Sequence, residues 1–204
     1  MVNQLIQDPN KLPKVYSIDN LLSEFNSLGL SKATVALKKL SKVNTDLSRI
    51  FLNGPNIEEA LVNISRVKKL TQDIFMEGVH LMENALEVAQ QTNIGNLAEL
   101  KIENDELLTE LKDKKEGSSL HSLIKERLEK NQKNIAIIKQ KNDRIDELLL
   151  HVGLCTDALR EICLQLPELV RHKGKDEFDA TVAELDERIG FAQRVKAEYV
   201  KQGL

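Results

Sequence analysis

Glu77 and His80 stand at Glu-x-x-His spacing inside a helical pattern. On a helix that spacing puts a carboxylate and an imidazole on one face, the half-site from which carboxylate-bridged di-metal bundles are built. Such a centre needs the motif twice, with two further carboxylates, because two cations require converging negative charge. The chain carries it once, and the nearest second arrangement, Glu147 with His151, has i,i+4 spacing and a different geometry. His80 also falls outside the Leu81/Ala85 seam and is expected to face solvent, so neither a metal nor a cofactor is expected.

His121 follows Ser118 and Ser119 near the start of a helix, where the macrodipole disfavours its protonation. Adjacent Ser and His residues do not make a nucleophile and base without an orienting acid and an oxyanion site, so capping and turn formation account for all three. His172, between Arg171 and Lys173, places positive charge at a helix C-terminus. Cys155 and Cys163 lie about 12 Å apart along one helix, too far to bridge. Cys163 falls on the apolar seam and is expected to be an inert small hydrophobe. Cys155 lies off the strict seam and is the better candidate for a reactive thiol, though no cation stands near enough in sequence to lower its pKa. The chain has no phosphate-cradling glycine loop and no zinc-like Cys/His spacing. Catalysis is therefore not expected.

The remaining chemical feature is charge. From Lys112 to Lys141 there are nine Lys or Arg and four Asp or Glu, a net of +5, so the rest of a chain of net −3 carries −8. Lys112, Lys114, Lys115, Lys125, Arg127, Lys130 and Lys133 form a candidate interaction surface for an anionic partner, whether an acidic protein surface, RNA or lipid headgroups. Asp113, Glu116, Glu126 and Glu129 are interleaved and no aromatic accompanies the cations, which argues against nucleic acid. A solvated coiled-coil flank accounts for the same residues. Asp176 to Arg188, by contrast, holds six acids and one base.

These residues must be positioned by helices. Between Ile124 and Leu166 an unbroken 4-3 stripe runs through Ile124, Leu128, Asn131, Ile135, Ile138, Asn142, Ile145, Leu149, Val152, Thr156, Leu159, Cys163 and Leu166, and no charge interrupts it. A spacing averaging about 3.5 residues keeps one seam turned to a partner helix, as in a coiled coil. Over 204 residues, 3% aromatics, no Trp and 30% charged residues suit thin helix-on-helix seams rather than a thick core.

The first sixteen residues, broken by Pro9 and Pro13, read as a tail. Ser17 caps a short helix bearing Leu21, Leu22, Phe25 and Leu28, and Gly29 ends it. Ser31 starts a second with Ala36, Leu40, Val43, Leu47 and Ile50 inward. Gly54-Pro55 turns the chain, and Asn56 with Glu59 makes a capping box for a third helix, whose seam holds Thr71, Gly78, Ala85 and Thr92. Small residues every seven positions let a neighbouring backbone come close. An antiparallel hairpin at Gly54-Pro55 would set Leu40 opposite Thr71.

Leu97, Leu100, Asn104, Leu107 and Leu111 then lead to a turn at Gly117-Ser118-Ser119, beyond which Leu111 returns near Ile124 and Asn104 near Asn131. The seam residues Asn104, Asn131 and Asn142 are expected to set register, since a buried Asn disfavours slips that face it with carbon. Gly95 marks where the hairpin leaves the rest. Pro167 should kink or end the long helix. A last helix, Asp176 to Lys201, is long enough to pack back along Ile145 to Leu166.

The expected fold is all-α: an elongated helical bundle base, residues 17–96 and 143–204, with a protruding antiparallel two-helix coiled-coil finger, residues 97–142, after a tail of residues 1–16. No basic-then-apolar leader and no membrane-length apolar run is evident, so the cytoplasm is the expected compartment. The expected function is that of a non-enzymatic coiled-coil scaffold or adaptor that binds other proteins, with homo-oligomerisation through leftover apolar seam as an accompanying expectation. The alternative is a peripheral membrane or anion-binding protein using the basic finger. A metal-dependent helical-bundle enzyme is a third reading, resting on Glu77 and His80 alone.

Overall fold

The computed structural model of the chain describes residues 17–53, 61–91 and 96–172. They form five helices, α1 (Ile18–Ser27), α2 (Ser31–Asn53), α3 (Leu61–Gln90), α4 (Asn96–Lys112) and α5 (Ser119–His172), and contain no strand. The chain is all-α, as the spacing of its apolar residues requires. The tail before Ser17, the Gly54-Pro55 turn with its capping box, the break at Gly95 and the helix expected from Asp176 to Lys201 lie outside the described residues. Among the described residues no helix is long and apolar enough to cross a membrane.

Local chemistry sets the first boundaries. Ser17 Oγ accepts the Asn20 N–H at 3.2 Å and caps α1. At the other end Gly29, at φ +69, lets its own N–H reach Asn26 O at 3.1 Å and the Leu30 N–H reach Phe25 O at 2.9 Å. That paired closure needs a left-handed residue, which glycine adopts without strain. Leu21 and Phe25 of α1 are fully buried, and α1 closes onto α2 and α3.

Both α2 and α3 pack chiefly on α5. A helix meeting two neighbours needs a broader apolar face than a coiled-coil seam, and this changes the stripe read from the sequence. Beyond Ile145 the buried residues of α5 are Leu148, Val152, Cys155, Thr156, Leu159, Ile162 and Leu166, whereas Leu149 and Cys163 are only half-buried. The seam thus keeps Val152, Thr156, Leu159 and Leu166 and broadens on one side to take in Leu148, Cys155 and Ile162. The buried hydroxyls of Thr71 and Thr156 donate to Val67 O and Val152 O, both at 2.8 Å, within their own helices.

Two further expectations need correction. A methyl at Gly78 would lie 2.7 Å from Leu40 Cδ2, so Leu40 sits against Gly78 and not Thr71. The difference is one heptad, a slip that the seam spacing cannot detect because it returns equivalent positions to the interface. The small-residue position does admit a close neighbour there. Of the two outcomes expected at Pro167, a kink or an end, the end is excluded, because α5 runs to His172; one lost N–H costs a single helical bond to the carbonyl of Cys163.

Candidate docking surface on the α4–α5 hairpin

The α4–α5 hairpin is built by its turn. After Lys112, Gly117 takes φ +82 and Ser118 Oγ accepts the His121 N–H at 3.2 Å, capping α5. Ser118 and His121 are therefore structural neighbours in a cap. With α4 folded back, Leu107, Ile124 and Leu128 bury one another and Leu111 packs beside them. Burying three such side chains contributes about 5 kcal/mol before chain entropy is set against it. This cluster is distinct from the larger one joining α1, α2, α3 and the Leu148–Leu166 part of α5. Lys141 Nζ donates to Gln91 O at 3.0 Å, and Lys32 Nζ meets Asp146 Oδ1 at 3.0 Å. These two contacts mark the level at which α5 passes from α4 to α2 and α3.

Asn131 is 6% exposed and Asn104 half-buried on the facing arm. Among the described residues Asn104 Oδ1 and Asn131 Nδ2 are buried without a hydrogen-bond partner. One is an acceptor and the other a donor, so a seam bond between the two Asn side chains is chemically matched but not closed. Asn142 lies half-buried between the buried Ile138 and Ile145.

The candidate cations do not share one face. Lys112, Lys114 and Lys115 are exposed at the turn. On α5, Lys125 flanks the seam on one side, Arg127 and Lys130 on the other, and Lys133 points outward, all exposed. Arg127 pairs with Glu103 of α4, a contact worth about 0–1 kcal/mol at the surface. Arg127 and Lys130 meet in a recess, an open groove of about 550 Å³ lined by Glu103, Leu123, Glu126, Arg127, Lys130, Asn131 and Asn134, so two carboxylates share it with the two cations.

The two arms of the hairpin carry opposite charge. The α4 arm carries five acids and two bases, a net of −3, while residues 119–142 of α5 carry six bases and two acids, a net of +4. On the flank that holds the groove, the α4 positions are Glu99, Glu103, Glu106 and Glu110, at 4-3-4 spacing. The α5 positions are Leu120, Leu123, Arg127, Lys130, Asn134 and Ile137, at 3-4-3-4-3 spacing. Leu120, Leu123 and Ile137 are about half exposed, at 49%, 59% and 51%. Counting charge over Lys112 to Lys141 combined the turn with one arm and concealed the opposition between arms; the signal was the spacing of Glu in α4.

Elsewhere, His80 Nδ1 lies 2.9 Å from Glu83 Oε2 on the exposed side of α3. Among the described residues no three His, Cys, Asp or Glu side chains converge as a metal site would require. Cys155 is buried, and desolvation, aided by the Glu77 carboxylate, pushes its thiol up to about 11. Cys163, half-buried, is also raised, first by burial and then by Asp46. The expectation that Cys155 is the more reactive thiol is corrected: the broadened seam puts Cys155 inside, where a thiolate is costly, while the raised thiol of Cys163, packed against the core, agrees with a small hydrophobe. No protein-family model, curated protein or solved structure matches this chain.

Proposed function

We propose that this chain is a non-enzymatic coiled-coil scaffold or adaptor of the cytoplasm, which binds other proteins through the α4–α5 hairpin while the remaining helices hold that hairpin. The observation that carries this reading is the separation of the two apolar clusters. The hairpin is held by its own small seam and leaves Ile102, Leu108, Leu120, Leu123 and Ile137 exposed. Apolar side chains flanked by charge on a helical surface are what a partner helix or groove recognises. The test is capture of protein partners by the intact chain and by an L123D/I137D variant, with helical content checked by circular dichroism. Loss of the captured partners from a variant that stays folded is the expected result. Equal capture by both proteins would remove the hairpin from the reading.

A second reading is binding to an anionic membrane surface, favoured by the exposure of Lys112, Lys114 and Lys115 at the turn. It requires salt-sensitive co-sedimentation with anionic vesicles that weakens when Lys114, Lys115, Lys125 and Lys130 become Gln, each contributing about 1 kcal/mol. No co-sedimentation at low salt would eliminate it.

A further inference from the structure

We propose that the groove-bearing flank of the α4–α5 hairpin docks on the same flank of a second copy of this chain, placing the acidic row of α4 against the basic and apolar row of α5 in each direction. The inference rests on reading the hairpin as a docking element and names one occupant for it.

Charge complementarity selects that occupant. Among the described residues Glu99, Glu106, Glu110 and Lys130 have no ion-pair partner in the chain. The groove beside Lys130 holds Asn131, 6% exposed, whose Nδ2 has no acceptor among the described residues. The recess also holds Glu103, Glu126 and Arg127; Arg127 engages Glu103, which leaves Lys130 and the buried amide donor to suit an incoming carboxylate, and the same flank of the same protein presents a row of carboxylates one helix away. A surface bearing both halves of a complementary pair can satisfy itself across a two-fold axis.

The charges also choose the axis. Two hairpins stacked face to face about an axis across their length would set α4 on α4, acid on acid. An axis along their length sets α4 on α5, with both turns at the same end. Glu106 of one copy then approaches Lys130 of the other, and Leu120, Leu123 and Ile137 are covered by the opposing α4 arm. Electrostatic matching of this kind fixes orientation more than it adds affinity, so the contact should weaken with salt.

The experiment uses the full chain. Sedimentation velocity at low ionic strength should give a mass that rises with concentration towards twice that of one chain. Lys130→Glu and Glu106→Lys, both at exposed positions, should each weaken association by about tenfold or more, because the axis repeats every altered pair. Mixing the two variants should yield a heterodimer that neither forms alone, since each cross-pair then joins opposite charges. Circular dichroism of the variants checks that helical content is retained. A chain that stays monomeric, whether or not it binds another protein or anionic vesicles, overturns the inference, as does a dimer indifferent to both reversals. Partner capture lost in L123D/I137D concerns the adaptor reading, whereas self-association is read on the purified chain, so each can fail without the other.

Discussion

Replacing Gly78 by Ala tests the closest approach in the helical core, and replacing Gly153 provides its internal control. Either change removes a glycine from a helix interior and so gains about 1 kcal/mol of helix propensity. At Gly153 the added methyl meets nothing within 4 Å and the gain should survive. At Gly78 it would lie 2.7 Å from Leu40 Cδ2 and 3.0 Å from Cδ1, against 3.4–4 Å for ordinary contact. Leu40 is fully buried and has no solvent side to retreat to. Overpacking of this kind costs about 1–3 kcal/mol, so G78A should be about 0–2 kcal/mol less stable than the parent. The propensity term cancels between the two variants, leaving a gap of about 1–3 kcal/mol that reports the packing alone. For a chain of this size the gap corresponds to roughly 2–12 °C in Tm. Urea and thermal unfolding of both variants give the comparison directly. Leu40→Ala alone should cost about 2–5 kcal/mol and appreciably less in the G78A background, where the methyl occupies part of the space. A G78A protein as stable as G153A would refute the close approach.

The buried Cys155 thiol should resist alkylation at pH 8 in the native chain while the half-buried Cys163 reacts first; equal rates would show that the broadened α5 seam is wrong. Because the thiol rises from an ordinary 9.0 to about 11, the unfolded chain ionises first, so Cys155 makes no pH-dependent contribution below pH 9 and stability falls as pH climbs from 9 towards 11. A Cys155→Ala variant should lose that part of the alkaline decline. Replacing both Asn104 and Asn131 by Leu should stabilise the chain by about 2 kcal/mol, since two unpartnered buried polar atoms are removed. The two single variants should sum to about the same value, because neither amide loses a hydrogen-bond partner when the other is replaced, and marked non-additivity in thermal unfolding would show that the two side chains do bond across the seam. Lys32→Ala should change stability by less than about 1 kcal/mol in urea titrations, as its pair with Asp146 is exposed on both sides.

The helices were legible because their punctuation is local. Ser17, Gly29, Gly117 and Ser118 act through hydrogen bonds and backbone dihedrals within a few residues of themselves, and each stands where the sequence pattern places a boundary. What depended on more than one partner was misread. Cys155 was set off the seam because a two-helix seam is narrow, yet α5 beyond Ile145 faces α2 and α3 together and buries Leu148, Cys155 and Ile162 as well. Leu40 was matched with Thr71 because the heptad repeats, and the repeat makes a one-heptad slip invisible.

The candidate surface shows the same division between local and relational information. Each cation from Lys112 to Lys133 is exposed, as hydrophilic residues outside a seam must be, but counting them could not reveal that they point in three directions around α5. Once α4 lies beside α5, Glu103 becomes the neighbour of Arg127 and Lys130. It is engaged by Arg127 within the chain. That exposed pair adds little to the apolar cluster that joins the arms, and Glu99, Glu106 and Glu110 continue the row along α4. A flank with its charges partly engaged at home and partly presented outward gives binding an orientation that leucines alone would not supply, because apolar contact is indifferent to which end of a helix comes first. In the docking proposed above, the exposed Leu123 and Ile137 would provide area, and Glu106 and Lys130 would decide which way round the second copy must lie.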